Sequence, residues 1–188
     1  MAKLFYVIGA SGAGKDSLIH YIRGSLPEDA PVMFAHRYIT RPADAGGENH
    51  VALSAQEFAQ RQQQGCFSMD WHSHETHYGI GSEIDEWLSK GLDVVVNGSR
   101  EYLQEATKKY KNIVPILICV DPDLLADRLF ARGRETFSQV SQRVAHAIKL
   151  EDTVYHPCLQ KIENNGVLEE AGDQLLQIIL DTEQEQCA

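Results

Sequence analysis

The stretch GASGAGKDS, residues 9–17, decides the fold; it consists of Gly9, Ala10, Ser11, Gly12, Ala13, Gly14, Lys15, Asp16 and Ser17. It matches the phosphate-binding pattern G-x-x-x-x-G-K-[ST] except at Asp16, where the pattern has a hydroxyl that contacts Mg²⁺. An apolar run of strand length precedes it at 4–8, and apolar residues at helical spacing follow it at 17–23. Glycines let backbone N–H groups turn towards phosphates, and a helix N-terminus adds positive charge. This context therefore predicts a nucleoside-triphosphate site in which Lys15 reaches the β- and γ-phosphates.

Length and composition indicate one globular domain. Of the 188 residues, 43% are hydrophobic and 23% are charged, and no apolar stretch approaches membrane length. The formal net charge of −10 argues against a broad nucleic-acid-binding surface. The chain runs straight into an apolar strand without a leader pattern, so we expect a cytoplasmic protein with no membrane partner. No pattern specifies an oligomeric state. Four cysteines lack a C-x-x-C pair and are expected to be reduced thiols: Cys66, Cys119, Cys158 and Cys187.

Strand-like and helix-like segments alternate along most of the chain, which predicts an α/β fold with a parallel sheet covered on both faces. The segment of about 37–90 is loop-rich and polar, so we expect it to be an acceptor-binding insertion in a core made from 1–36 and 91–188. Within it, a capping-box start at Ser54 predicts a helix that ends near Gly65, followed by a strand at 67–71 and a helix at 82–90. The predicted core strands are 4–8, 32–35, 92–96, 113–120 and 159–162. The predicted core helices are 16–23, 99–110, 122–132, 137–154 and 168–183.

Several stretches resemble known kinases. The glycine loop, Thr40-Arg41, Tyr78-Gly79 and the arginines of 128–143 are similar to the guanylate-kinase-like branch of the nucleoside-monophosphate kinases. Five stretches resemble the ribose 1,5-bisphosphate phosphokinases more closely still: GKDSL, AHRYITR, GGENHVALS, YGIGSEID and VVVNGSR. That resemblance implies a P-loop NTPase three-layer fold with a parallel core sheet, an inserted acceptor-binding lobe and a helical lid at about 128–143. It also implies the use of ATP and Mg²⁺ to phosphorylate ribose 1,5-bisphosphate to 5-phosphoribosyl 1-diphosphate, in phosphonate catabolism.

The departures from guanylate kinases concern the acceptor. Ile80 stands where the resemblance implies a guanine-binding serine, and a strand that usually ends in acidic residues ends here in NGSR (97–100). A purine loses hydrogen-bond acceptors at these places and a phosphosugar gains donors, so a phosphosugar is the expected acceptor. Asp70 could still serve a base, which leaves a nucleoside-monophosphate kinase as the alternative. A non-catalytic guanylate-kinase-like binding module is a third hypothesis, although such modules typically lose the glycine loop and lid arginines that this chain has.

The resemblance also implies a set of acceptor-binding residues. Arg41 matches the family's phosphate-binding arginine, and a guanidinium can grip a phosphate bidentately. The second family arginine is replaced by Asp44. Because a bisphosphate has two anionic ends, cations are expected in two places. The further cations are expected to be Arg37 and Arg100. The residues expected to line the sugar are His36, His50 and Tyr78, and those expected at the end of the strand are Asn97 and Ser99.

Four arginines of the predicted lid are expected to approach the transferring phosphoryl group: Arg128, Arg132, Arg134 and Arg143. Charge spreads over the oxygens of that group in the transition state, so positioning and electrostatics supply most of the catalysis. Lys15, Arg134 and Arg143 are the predicted catalytic residues. Arg132 and Asn164 are predicted to join residues 9–17 in binding ATP.

Asp16 is the predicted metal ligand, together with its neighbour Ser17. Many P-loop enzymes have an acidic metal partner at the end of a core strand, but here the strand at 94–97 ends in the amide of Asn97. A carboxylate at position 16 is a hard oxygen ligand that can bind Mg²⁺ directly or through water. The alternative is that Asp16 only complements the positive end of the helix, while Ser17 or water holds the metal.

Three histidines within six residues, His72, His74 and His77, offer a rival hypothesis because histidine favours Zn²⁺. Their spacing matches no structural zinc site. The sequence therefore favours a solvated loop in the acceptor lobe, in which the histidines contact substrate phosphate.

Overall fold

The computed structural model describes residues 1–43, 48–73, 75–133 and 136–181. In chain order the elements are β1 (Leu4–Gly9), α1 (Lys15–Ser25), β2 (Val32–Phe34), β3 (Arg37–Ile39), β4 (Val51–Ala52), α2 (Ala55–Gln63), β5 (Phe67–Ser73), β6 (Thr76–Gly81), α3 (Glu83–Ser89), β7 (Asp93–Asn97), α4 (Leu103–Lys109), β8 (Ile113–Cys119), α5 (Pro122–Ala131), α6 (Phe137–Glu151), β9 (Gln160–Glu163) and α7 (Leu168–Leu180).

Five strands form the core sheet in the order β2-β7-β1-β8-β9, and every neighbouring pair is parallel. The predicted α/β fold with a parallel sheet is confirmed. Strand β1 shows why both faces are covered. Phe5 and Val7 belong to the apolar cluster formed with α1, α5, α6 and α7, whereas Leu4, Tyr6 and Ile8 belong to the cluster under α3 and α4. Alternate side chains of one strand thus serve two cores, and the strand is apolar throughout.

A second sheet of four strands, in the order β4-β3-β6-β5, lies within the segment predicted as the insertion. Strand β6 pairs antiparallel with both β3 and β5, and β3 pairs parallel with β4. Helix α2 begins with the predicted capping box of Ser54 and Glu57, and its buried Phe58 packs on Phe67 at 4.7 Å between ring centroids. The prediction of a loop at 72–77 is wrong, because His72 and His77 pair across the hairpin of β5 and β6.

Three further expectations can be compared with the structure. Helix α4 begins at Leu103 rather than at residue 99, because the chain after β7 first turns and the Ser99 N–H donates to the Tyr6 hydroxyl at 3.0 Å. Cys66 and Cys119 are free, but Cys158 is disulfide-bonded, so the expectation of reduced thiols is wrong for that residue. Within the described residues, no helix combines the length and apolarity that spanning a membrane requires.

Candidate active site

The phosphate-loop sequence lies at the carboxyl end of β1, where ligands of parallel α/β sheets bind. Gly12 and Gly14 adopt left-handed backbone angles, with φ of 98° and 91°. A Cβ at Gly12 would lie 2.9 Å from the Leu125 side chain, and one at Gly14 would lie 2.5 Å from Nδ2 of Asn164. Only glycine combines these angles with such close neighbours. The loop geometry predicted from GASGAGKDS is therefore required by the backbone and by the packing around it.

Lys15 is folded back onto this loop. Its Nζ donates to the carbonyl oxygens of Gly9 and Ala10, both at 3.0 Å. Burial lowers the pKa of Lys15 to about 7, Asp16 opposes that shift, and the nearby Arg37 adds to it. An anion placed beside Nζ favours its charged form. A buried lysine of this kind suits the phosphates of a nucleotide, since their negative charge would stabilise the charged form of Nζ.

Asn164 and Arg128 stabilise the phosphate loop through hydrogen bonds. Asn164 is 4% exposed, and its Nδ2 donates to the Ala13 carbonyl at 2.7 Å. Arg128 Nη2 donates to the Asn164 carbonyl at 2.9 Å, whereas its buried Nη1 has no partner in the described part of the chain. The sequence predicted a lid position for Arg128. In the structure its hydrogen bond to Asn164 places it beside the phosphate loop.

Asp16 and Asn97 form a direct contact across the site. Asn97 is 7% exposed, and its Nδ2 donates to Asp16 Oδ1 at 2.6 Å. The same amide reaches Oε2 of Glu48 at 3.4 Å. The predicted metal-binding carboxylate and the amide at the end of β7 are thus neighbours, and the amide fixes one Asp16 oxygen.

An arginine–carboxylate pair lies on the acceptor side. Arg37 grips Glu48 with two N–H groups, of which Nε lies 2.7 Å from Oε1, and the two side chains are 13% and 10% exposed. The Arg37 guanidinium lies 5.1 Å from the centroid of the Tyr78 ring, which in turn stacks on Trp71. Burial lowers the pKa of Arg37 to about 10, a value at which the group stays charged at neutral pH. Nε of Arg41 is buried and has no partner among the described residues.

Lys15, Asp16, Arg37, Arg41 and Glu48 face one cleft of about 640 Å³ between the core, the second sheet, Arg132 and helix α6, whereas Asn97, Asn164 and Arg128 are not among the residues that line it. Eleven of the residues predicted from the sequence line it: Gly9, Ser11, Lys15, Asp16, Arg37, Arg41, Tyr78, Ser99, Arg100, Arg132 and Arg143. The predicted catalytic residue Arg134 and the family difference at Asp44 lie outside the described residues. The structure thus brings residues from the predicted triphosphate, acceptor and lid sets around one space.

The two predicted sugar-lining histidines do not line this cleft. His50 is 8% exposed, and its ring nitrogens lie 3.1 Å from the carbonyl oxygens of Glu48 and Arg41. It links the backbones on the two sides of the segment 42–47. His36 contacts Asn49 at 3.3 Å. In this structure His50 positions the acceptor-side residues and does not face the sugar space.

Arg100 connects the core to α6, beyond the predicted lid of about 128–143. Its Nη1 donates to the Ala147 carbonyl in α6 at 3.1 Å, and burial lowers its pKa. The adjacent Glu101 lies 3.9 Å from His146 of the same helix. Arg100 therefore faces the cleft and also helps to hold α6 over it.

The histidine hairpin shows no metal arrangement in the part of the chain that is described. The rings of His72 and His77 lie 4.7 Å apart, both side chains are exposed, and His74 falls outside the described residues. No three His, Cys, Asp or Glu side chains within the described ranges are grouped so that they could hold a metal ion.

Curated relatives match the chain at about half of its positions. A protein of Psychromonas ingrahamii named ribose 1,5-bisphosphate phosphokinase PhnN is 52% identical over 177 residues, covering 94% of this chain and 89% of its own. Proteins with the same name from Thiobacillus denitrificans and Desulfomicrobium baculatum are 52% and 50% identical, and they cover 96% and 97% of this chain and 94% and 96% of their own. The chain belongs to the ribose 1,5-bisphosphate phosphokinase family.

Membership of the ribose 1,5-bisphosphate phosphokinase family confirms the resemblance drawn from the sequence. No protein-family model matches the chain. Among solved structures, guanylate kinase from Anaplasma phagocytophilum superimposes with a TM-score of 0.74 at 14% identity, covering 99% of this chain and 88% of its own. The guanylate-kinase fold is therefore shared although few residues are.

Sequence reasoning missed one prominent residue of this family member, Glu48. The stretch GGENHVALS contributes to the resemblance, but its glutamate is not among the predicted site residues. A useful signal was available: a glutamate between two regions expected to bind phosphate is unfavourable unless a cation or a hydroxyl partners it. The structure shows the cation, Arg37.

Proposed function

We propose that the chain transfers the γ-phosphoryl group of ATP to the 1-phosphate of ribose 1,5-bisphosphate, giving ADP and 5-phosphoribosyl 1-diphosphate, in phosphonate catabolism. The observation that carries this function is the identity of about one half with ribose 1,5-bisphosphate phosphokinases over nearly the whole chain. The cleft supports it, because a phosphate loop and a cluster of arginines share one space.

The phosphate loop supplies the ATP end of the site. The backbone of residues 9–14 and Lys15 would bind the β- and γ-phosphates, with Asn164 holding the loop in shape. Arg128 would support the loop from the same side, through its hydrogen bond to the Asn164 carbonyl. Arg132 and Arg143, from the end of α5 and from α6, would meet the charge on the transferring group.

Cations on the other side of the cleft would bind the acceptor. Arg41, with its unpartnered buried Nε, is placed to grip one phosphate, and Arg37 and Arg100 provide charge for the second. In the reaction an oxygen of the 1-phosphate forms a bond to the γ-phosphorus, and the bond from that phosphorus to the bridging oxygen of ADP breaks. The attacking oxygen is anionic at neutral pH, so no side chain has to remove a proton. Catalysis then consists of orientation and charge stabilisation.

Oxygen donors that suit Mg²⁺ lie at the start of α1. Asp16 offers its carboxylate, whose Oδ1 is fixed by Asn97, and Ser17 offers a neighbouring hydroxyl. Asp16 and Ser17 would hold Mg²⁺ there, and the ion would supply positive charge against the phosphates. The amide of Asn97 fixes the orientation of the Asp16 carboxylate, because it donates to Oδ1 at 2.6 Å.

The structure gives little support to a purine acceptor. Ile80 is fully buried, and Asp70, the carboxylate left for a base, is not among the residues of the cleft and accepts a hydrogen bond from Gln62 at 2.5 Å. The third hypothesis, a binding module without catalysis, does not account for a complete phosphate loop with Lys15 in place.

An acceptor panel tests the proposal. ADP release would be measured by a coupled assay with ribose 1,5-bisphosphate, ribose 5-phosphate, GMP and AMP at equal concentrations. We expect ribose 1,5-bisphosphate to give the highest kcat/KM. A higher value with GMP would assign the chain to the nucleotide kinases, and the absence of turnover with every acceptor would favour the binding module.

A further inference from the structure

We infer that Glu48 recognises a hydroxyl group of the acceptor sugar and thereby determines which phosphosugar is accepted. The inference deepens the proposed function and rests on it. It assigns a role to a buried carboxylate that faces the acceptor side of the cleft.

A carboxylate is an unexpected neighbour for a bisphosphate. Glu48 lines the same cleft as Arg37 and Arg41, and its side chain is only 10% exposed. Its charge would repel both phosphates of the substrate, and its burial removes the screening that water would provide. If only the cations mattered, a neutral side chain could fill this place without that repulsion. Arg37 partners this charge, and a hydroxyl of the acceptor could stabilise it further without the repulsion that a phosphate would meet.

The remaining polar groups of ribose 1,5-bisphosphate include hydroxyls on C2 and C3, and each is a hydrogen-bond donor. Carboxylates bind ribose hydroxyls in dinucleotide-binding folds for the same reason. An ionised carboxylate can accept about four hydrogen bonds. Arg37 takes one position on each oxygen, and Asn97 approaches Oε2 at 3.4 Å, which leaves acceptor capacity for a ligand in the cleft.

The surroundings hold this acceptor in a fixed direction. The two N–H groups of Arg37 define the plane of the carboxylate, and the Tyr78 ring supports the guanidinium from one side. His50 lies 3.1 Å from the backbone carbonyl of Glu48 and so fixes the main chain beneath it. A hydrogen bond donated by a hydroxyl to a rigid, buried carboxylate is selective, because a substrate without the hydroxyl leaves the charge without that partner.

The test compares ribose 1,5-bisphosphate with its 2-deoxy and 3-deoxy analogues. For the wild-type protein we expect kcat/KM to fall by about 10–100-fold with at least one analogue, the range for a hydrogen bond to a charged group. In Glu48→Ala the ratio of kcat/KM with ribose 1,5-bisphosphate to kcat/KM with that analogue should fall to within about threefold of unity, since the carboxylate that accepts the hydrogen bond is gone. Glu48→Gln keeps the shape and one acceptor oxygen and should retain part of the discrimination. Glu101→Gln is the matched control, since it removes a negative charge from the same cleft and should keep the wild-type ratio.

The outcomes separate the inference from the proposed function. If the wild-type protein phosphorylates ribose 1,5-bisphosphate and both analogues equally well, Glu48 does not recognise a sugar hydroxyl, and the inference is wrong. If kcat/KM of both Glu48 variants falls by the same factor with ribose 1,5-bisphosphate and with its two analogues, Glu48 only positions Arg37, and the inference is wrong. A wild-type protein that does not use ribose 1,5-bisphosphate overturns the proposed function, and the inference with it. Comparing the wild-type protein on three sugars needs no variant, so a folding defect in Glu48→Ala does not block the test.

Discussion

Gly14→Ala perturbs the phosphate loop at a place where the structure leaves little room. Alanine at φ of 91° is strained by about 1–2 kcal/mol. Its Cβ would also lie 2.5 Å from Asn164 Nδ2, so the buried hydrogen bond from Asn164 to the Ala13 carbonyl must break, at about 1–2 kcal/mol more. We expect a loss of about 2–4 kcal/mol in the free energy of unfolding. For a chain of 188 residues that corresponds to a fall in Tm of about 5–15 °C.

Thermal and urea unfolding of four proteins would check this value: the wild type, Gly14→Ala, Asn164→Ala and the double variant. Because both single changes break the same hydrogen bond, their effects should add to more than the effect of the double variant. Gly24→Ala is the control. Gly24 lies in α1, and a Cβ added there would meet no side chain or other element within 4 Å, so alanine should stabilise by up to about 1 kcal/mol. A Gly14→Ala protein as stable as the wild type, or strictly additive effects, would refute the packing argument.

Three further predictions concern charge in the site. Burial lowers the pKa of Lys15 to about 7, so the empty protein loses this positive charge as pH rises. The affinity for ATP should therefore fall roughly fivefold from pH 7 to 8, and binding should take up a proton. Calorimetry in two buffers would measure that proton uptake, and Lys15→Met should abolish it. Asp16→Asn should raise the Mg²⁺ concentration for half-maximal turnover and Asp16→Ser should restore it, whereas an unchanged titration would mean that the carboxylate is not a metal partner. In Arg41→Ala, kcat/KM for the acceptor should fall by about 10–100-fold, the loss expected for charge-assisted hydrogen bonds, and the affinity for ATP should stay nearly unchanged. Equal losses for the acceptor and for ATP would mean that Arg41 does not bind the acceptor phosphate.

Local sequence was enough for the parts of this molecule whose structure depends on near neighbours. The glycines of the loop, the apolar run before it and the helical spacing after it all lie within a short stretch at 4–23. The capping box of Ser54 and Glu57 is likewise a short local pattern, and it forms as predicted. The core strands were recognisable because strands buried on both faces are apolar throughout, as β8 is.

The second sheet was harder because its strands carry no such pattern. Strand β4 has two residues, both exposed, and β3 has three. The ends of β5 and β6 bring together polar side chains that are also common in loops, among them His72 and His77. Their pairing depends on contacts with other strands, which local periodicity does not reveal.

The contacts within the site were hidden for a similar reason. Glu48 is separated by 11 positions from Arg37 and by 49 from Asn97, and Asn97 lies 81 positions from Asp16. The chemistry of each residue could be predicted from its type. The choice of partner follows from the fold, which brings β3, β7 and the loop after β1 to one edge. For the same reason His50 was expected at the sugar but lies behind the cleft lining, between two carbonyl groups.

Identification of the phosphorylated product would show which group accepts the γ-phosphoryl of ATP. The protein would be incubated with ATP, Mg²⁺ and ribose 1,5-bisphosphate, and the mixture followed by ³¹P NMR with ATP whose γ-phosphate carries ¹⁸O. We expect a new diphosphate on C1 of the sugar, with the label on its terminal phosphate and the 5-phosphate unchanged. Label in inorganic phosphate alone, or transfer to GMP in preference to the sugar in a mixture of both, would contradict it.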